Sequence, residues 1–159
     1  MINRGGEVIS PQQVEDTLRN HPFLINADFM VFCAPHIEME GVVGIAWTWA
    51  IELELDDLRA WALEHLSSAA IPQVLVVVTR LPVGSTGKPK RANFAASVNL
   101  PAIRGGAPQT FHMGTEGKLR LMPLRQQRKH CNAISPASDT TAPAARAMQA
   151  TVEYALVRD

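Results

Sequence analysis

The chain has 159 residues, 47% of them hydrophobic, with 15 Lys+Arg against 15 Asp+Glu, which fits one globular domain or a small domain plus a tail. The zero net charge conceals an asymmetry: residues 1–94 carry seven basic and eleven acidic side chains, and residues 95–159 carry eight and four. Neither excess is large enough to argue for nucleic acid by itself, and two cysteines are too few for a disulfide framework, so a reducing, cytoplasmic setting is expected.

Met1 to Glu7 are polar and glycine-bearing, so no secretory leader is read there, and no run approaches the roughly 20 apolar residues of a bilayer span. Ser10-Pro11-Gln12-Gln13 predicts a helix start, with Ser10 as cap, Pro11 in the first turn and Gln13 completing a capping box. Val14 and Leu18 share a face, and the helix should stop near Asn20, ahead of His21-Pro22. Residues 27–34 read as a buried strand ended by Pro35, with Cys33 a buried thiol. Residues 42–51 read as a second strand. Asp56 and Asp57 mark the first turn of a helix with an inner stripe of Leu58, Trp61, Ala62, His65 and Leu66. Residues 73–79 are the clearest strand, and a loop follows over 82–91. Beyond about residue 95, glycines and prolines punctuate a loop-rich stretch; Lys118 to His130 holds five basic residues and no acid, and residues 132–145 look like a linker. The expectation is an α+β domain of two layers over residues 1–94, a short three-stranded sheet packed with helices. A loop-rich basic tail follows over 95–159, with a candidate helix at 143–156.

Two segments could carry chemistry. Gly84 and Gly87 bracket Ser85-Thr86, and Lys88 follows directly. Glycines permit sharp turns, and a lysine on such a loop brings a compact positive charge to a phosphate or carboxylate; the plain alternative is a solvated basic turn. This is no Walker A loop, because Pro89 follows Lys88 where that motif has Ser or Thr, and its first glycine is missing. Arg4-Gly5-Gly6-Glu7 allows close backbone approach by a thin ligand, or is simply a tight turn before the first helix. His112, His130 and Cys131 lack ligand spacing, so no metal is assigned.

Met1-Ile2-Asn3-Arg4-Gly5-Gly6-Glu7-Val8-Ile9-Ser10-Pro11, followed by Val14-Glu15, resembles the segment just after the hinge of adenylate-forming enzymes, which include acyl- and aryl-CoA synthetases, peptide-synthetase adenylation domains and firefly luciferase. His21-Pro22 falls where their first helix commonly ends, Ser67 to Pro72 resembles their Leu-x-x-Tyr-Lys-x-Pro turn, and Leu81-Pro82 with Thr86-Gly87-Lys88 and Arg91 resembles their closing motif. Ala69-Ala70 stand where Tyr-Lys is usual, His36 where Asp is common, and Met39 where Gly is common.

The resemblance implies the small C-terminal domain, or lid, of an ATP-dependent acyl-CoA synthetase, which joins an acid to ATP as acyl-AMP and then to a thiol. In it Lys88 is the catalytic lysine, Thr86, Gly87 and Arg91 shape its loop, and Gly5, Gly6 and Glu7 serve thioester formation with CoA. The implied partners are an N-terminal adenylation domain, a carboxylic acid, and CoA or a phosphopantetheinyl carrier protein. ATP and CoA are substrates, and magnesium is held mainly by the large domain. The isolated chain is expected to be inactive. A lid of a carrier-protein-loading enzyme and a non-catalytic interaction module with the same fold are the alternatives. Nucleic-acid binding through Lys118–His130 is disfavoured by the lack of interleaved aromatics.

Overall fold

The computed structural model describes residues 1–48, 54–85 and 87–122. The chain opens with a hairpin of β1 (Ile2–Arg4) and β2 (Glu7–Ile9), then α1 (Pro11–Leu18), β3 (Phe29–His36), β4 (Glu40–Thr48) and α2 (Leu55–His65). A 3-10 turn (Ser68–Ala70) leads to β5 (Val74–Val78), followed by α3 (Phe94–Ser97), β6 (Gln109–Met113) and β7 (Leu119–Met122). The class is α+β, as expected.

The helix start is as the sequence reads. Ser10 is the N-cap, its hydroxyl accepts from the Gln13 N–H at 3.5 Å, and Pro11 occupies the first turn, where a missing N–H costs nothing. α1 presents Pro11, Val14, Glu15 and Leu18 as its buried stripe. Strand β4 is the centre of the sheet. It pairs antiparallel with β3 over Phe29↔Trp47 to His36↔Glu40 and parallel with β5 over Gly44↔Val74 to Thr48↔Val78. Parallel neighbours need a crossover, which α2 supplies here and the segment containing α3 supplies between β5 and β6.

Strands β4 and β5 are covered on both faces, so they read as continuous apolar runs rather than as alternating ones. Alternation nonetheless sorts the side chains. Phe29 and Val31 of β3 join Val43, Ile45 and Trp47 of β4 under α1 and α2. Met30, Phe32 and Ala34 join Val74, Val76 and Val78 on the other face, under Phe94, Val98, Leu100 and Ile103.

The sheet has seven strands among the described residues, not the three expected. β1 and β2 are three residues each, too short to show a period of two. β6 and β7 lie in the glycine- and proline-punctuated stretch after residue 95, where the sequence reading expects loop; β6 is nevertheless held in register by Val74↔Gln109 to Val77↔His112. Pro35 lies within β3 rather than ending it. Its carbonyl accepts from the Ile103 N–H at 3.0 Å on the outer edge, where proline owes the β3–β4 ladder no donor. Cys33 is exposed rather than buried; an apolar run does not reveal how far the covering elements reach along a strand. The end of the predicted second strand, Thr86, Lys118–His130 beyond Met122 and the candidate helix 143–156 lie outside the described residues.

Candidate functional site

Leu81 packs into the second core and anchors the start of the Lys88 loop. The loop is closed across its base by backbone bonds: the Gly84 N–H donates to the Lys88 carbonyl at 2.8 Å, the Gly87 N–H to Gly84 at 3.0 Å, and the Lys90 N–H to Pro82 at 2.8 Å. A bridge between Val83 and Pro89 completes the miniature hairpin. Gly87 turns the chain at φ 74°, a value costly for any residue with a Cβ. Lys88 is exposed, and among the described residues its amine makes no hydrogen bond or ion pair.

Arg91 points the other way. Its Nη2 donates to Oε2 of Glu15 at 3.1 Å, the one ion pair among the described residues. Glu15 is only 4% exposed, and its other oxygen, Oε1, accepts the Val31 N–H of β3 at 2.8 Å. The buried carboxylate thus has both oxygens satisfied, by a strand edge and by the far end of the Lys88 loop.

The glycine segment is a two-residue hairpin turn between Arg4 and Glu7, with Gly5 at φ 55° and Gly6 at φ 95°. Two successive positive φ values are what a tight hairpin requires when its twist matches the strands, and glycine supplies them without steric cost. Gly5, Gly6 and Glu7 are exposed. The turn is pinned from behind: the Gly5 N–H donates to Met39 at 3.2 Å, and the Arg4 guanidinium donates to the carbonyls of Ser68 at 3.0 Å and Ala69 at 2.7 Å. Ala69-Ala70, which stand where the resembled family has Tyr-Lys, are buried against the first core.

The two loops therefore have separate tethers, and no hydrogen bond or ion pair among the described residues joins them. A cleft of about 310 Å³ opens between Met1, Ile2, Pro11, Phe32, Cys33 and the start of α3, with Arg91 on its wall. Neither Lys88 nor the glycine turn lines it. Thr86 lies outside the described residues. The sequence reading missed Glu15 and Arg4 as organising residues. Glu15 was detectable as an acid on the stripe Pro11, Val14, Glu15, Leu18, where the i, i+3, i+4, i+7 spacing calls for apolar side chains.

No family model matches the chain. It is 33% identical over 98 residues to oxalate–CoA ligase of Saccharomyces cerevisiae, covering 60% of this chain and 18% of that protein. It is 30% identical over 91 residues to an acyl-CoA synthetase of Gibberella moniliformis, covering 57% of this chain and 16% of that protein. The structure of o-succinylbenzoate CoA synthetase from Bacillus subtilis, in complex with its acyl-adenylate intermediate, superposes with a TM-score of 0.53 at 27% identity, over 65% of this chain and 20% of that one. These similarities to CoA ligases and acyl-CoA synthetases are consistent with a C-terminal domain of the adenylate-forming superfamily. The chain spans about a fifth or less of the length of these relatives. Among the described residues no helix is long and apolar enough to cross a membrane.

Proposed function

We propose that residues 1–94 act as the lid of an ATP-dependent acyl-CoA synthetase, closing over a large adenylation domain that supplies the sites for ATP, its magnesium and the carboxylic acid. The observation that carries this reading is Lys88: an exposed ammonium on a backbone-closed loop, with no hydrogen-bond or ion-pair partner among the described residues, in a chain whose relatives include CoA ligases. Neither Lys88 nor the glycine turn lines the cleft beside Phe32 and Phe94; in this reading the large domain supplies the walls around both.

In the first half-reaction a substrate carboxylate oxygen attacks the α-phosphorus of ATP, and the bond to pyrophosphate breaks. The Lys88 ammonium, placed beside the carboxylate and the adenylate oxygens, offsets the negative charge that builds there. In the second the thiol gives up its proton, its sulfur attacks the acyl carbonyl, and AMP departs. The lid turns about its hinge between the two steps and brings the Gly5–Gly6 backbone to the passage of the pantetheine arm. Two bare residues leave that passage open. Either CoA or a carrier protein can present the arm, and a cytoplasmic setting belongs to the same reading.

The test is ATP–pyrophosphate exchange by this chain joined to the large domain of a CoA-ligase relative. Exchange that drops by roughly 100-fold or more in Lys88→Ala is the expected result, the size seen when one charge-stabilising donor is removed. Equal exchange by the native and Lys88→Ala proteins removes the catalytic role. A non-catalytic interaction module is the second reading, favoured by β7, the last strand of the sheet path among the described residues, with Leu121 exposed on it. Binding of a partner that is lost with β7, with no exchange at any Lys88 variant, supports that alternative.

A further inference from the structure

We propose that Glu15 is a positioning residue for the Lys88 loop, acting through Arg91; this rests on the lid reading for its consequence but not for its geometry. A carboxylate 4% exposed in a helix stripe otherwise made of Pro11, Val14 and Leu18 is a poor way to gain stability alone. Desolvating such a pair costs about as much as the attraction returns, and an apolar residue of similar size often does as well. What the pair adds is geometry. Glu15 is fixed from behind by the Val31 N–H at 2.8 Å, so its second oxygen has a set direction. Arg91, 31% exposed, must reach that oxygen, and it lies three residues after Lys88.

The loop is then held at three points. Leu81 sits in the second core, the Lys90 N–H is bonded to Pro82, and Arg91 is tied to α1 across 76 positions of sequence. Without the last tether the backbone bonds still close the loop, but its exit strand can swing. The loop backbone that carries Lys88, which has no partner of its own among the described residues, would then sample a wider range of positions. A lysine that must meet an oxyanion after domain closure benefits from a held direction, because each misplaced conformer lowers the fraction competent to react.

Glu15→Gln isolates the effect. The glutamine oxygen still accepts from Val31, and its NH2 replaces the oxygen facing Arg91, so two donors confront each other. The first measurement is amide hydrogen exchange on the full chain. The Gly84, Gly87 and Lys90 amides should exchange roughly tenfold faster than in the native protein, the β4 amides should be unchanged, and Arg91→Gln should reproduce the pattern without adding to it in the double variant. Unchanged loop amides, or a uniform acceleration that includes β4, overturn the proposal. The second measurement is the joined enzyme, where Glu15→Gln should lower kcat for pyrophosphate exchange by roughly tenfold with the KM for ATP unaltered. If Lys88→Ala abolishes exchange but Glu15→Gln leaves kcat intact, Glu15 does not position the loop and the lid reading stands. If Lys88→Ala has no effect, the lid reading fails, and the amide measurement alone decides the role of Glu15.

Discussion

His21 shows how a single side chain sets a condition on the whole fold. It is buried beside Trp61 in an edge-on contact of 5.2 Å, and its Nδ1 accepts the Phe23 N–H at 3.2 Å, which only the neutral ring can do. Burial pushes its pKa below the ordinary value; the Asp57 carboxylate pulls it back up, and nearby His65 lowers it further. The unfolded chain therefore takes up this proton first as the pH falls. The stability His21 contributes is complete above its ordinary pKa of about 6.5 and is lost as the pH drops toward the lower folded value. A urea midpoint that declines from about pH 7.5 to about pH 5.5 is expected, with a shallower decline in His21→Asn, which keeps an acceptor but does not titrate; identical slopes would contradict the account. Gly44 sets a steric condition instead. A Cβ there would lie 2.6 Å from the Phe32 ring, which is itself packed against Phe94 at 4.7 Å. Gly44→Ala should cost about 1–3 kcal/mol, read as a lowered urea midpoint with an unchanged slope.

At the scale of elements, the pieces with a local signature were legible and those defined by distant partners were not. α1 announced itself by its cap and stripe, and β4 and β5 by their apolar runs, because helix starts and buried strands are written in adjacent residues. β1 and β2 exist only as the two sides of a glycine turn, and β6 only because β5 has an edge to pair with. Within the site, Lys88 and the glycine pair stood out by residue type, whereas Glu15 and Arg91 meet across 76 positions that no local pattern connects. A consequence concerns the boundary at residue 94. Val98, Leu100, Ile103 and Phe111 are all buried in the second core, and His36 and Gln73 both bond the Gly105 carbonyl, at 3.0 and 2.5 Å. A chain shortened to 1–94 should therefore be markedly less stable than one ending at Met122, and comparison of their thermal unfolding checks it. Equal melting temperatures would show that β6 and β7 are dispensable.

For the molecule as a whole, the proposal is that two loops with separate tethers serve two successive half-reactions on a large adenylation domain. A joined enzyme can be assayed for each half-reaction alone: pyrophosphate exchange for adenylation, and thioester formation from preformed acyl-adenylate and CoA. Replacing Gly6, at φ 95°, by valine strains the turn and adds bulk where the thiol arm would pass. The measurement that tests the central claim most directly is the pair of rates in Lys88→Ala and Gly6→Val. The account predicts that Lys88→Ala loses exchange by roughly 100-fold yet forms thioester from preformed adenylate at a near-native rate, and that Gly6→Val does the reverse. If either variant slowed both half-reactions equally, or neither, the division of labour between the two loops would be contradicted.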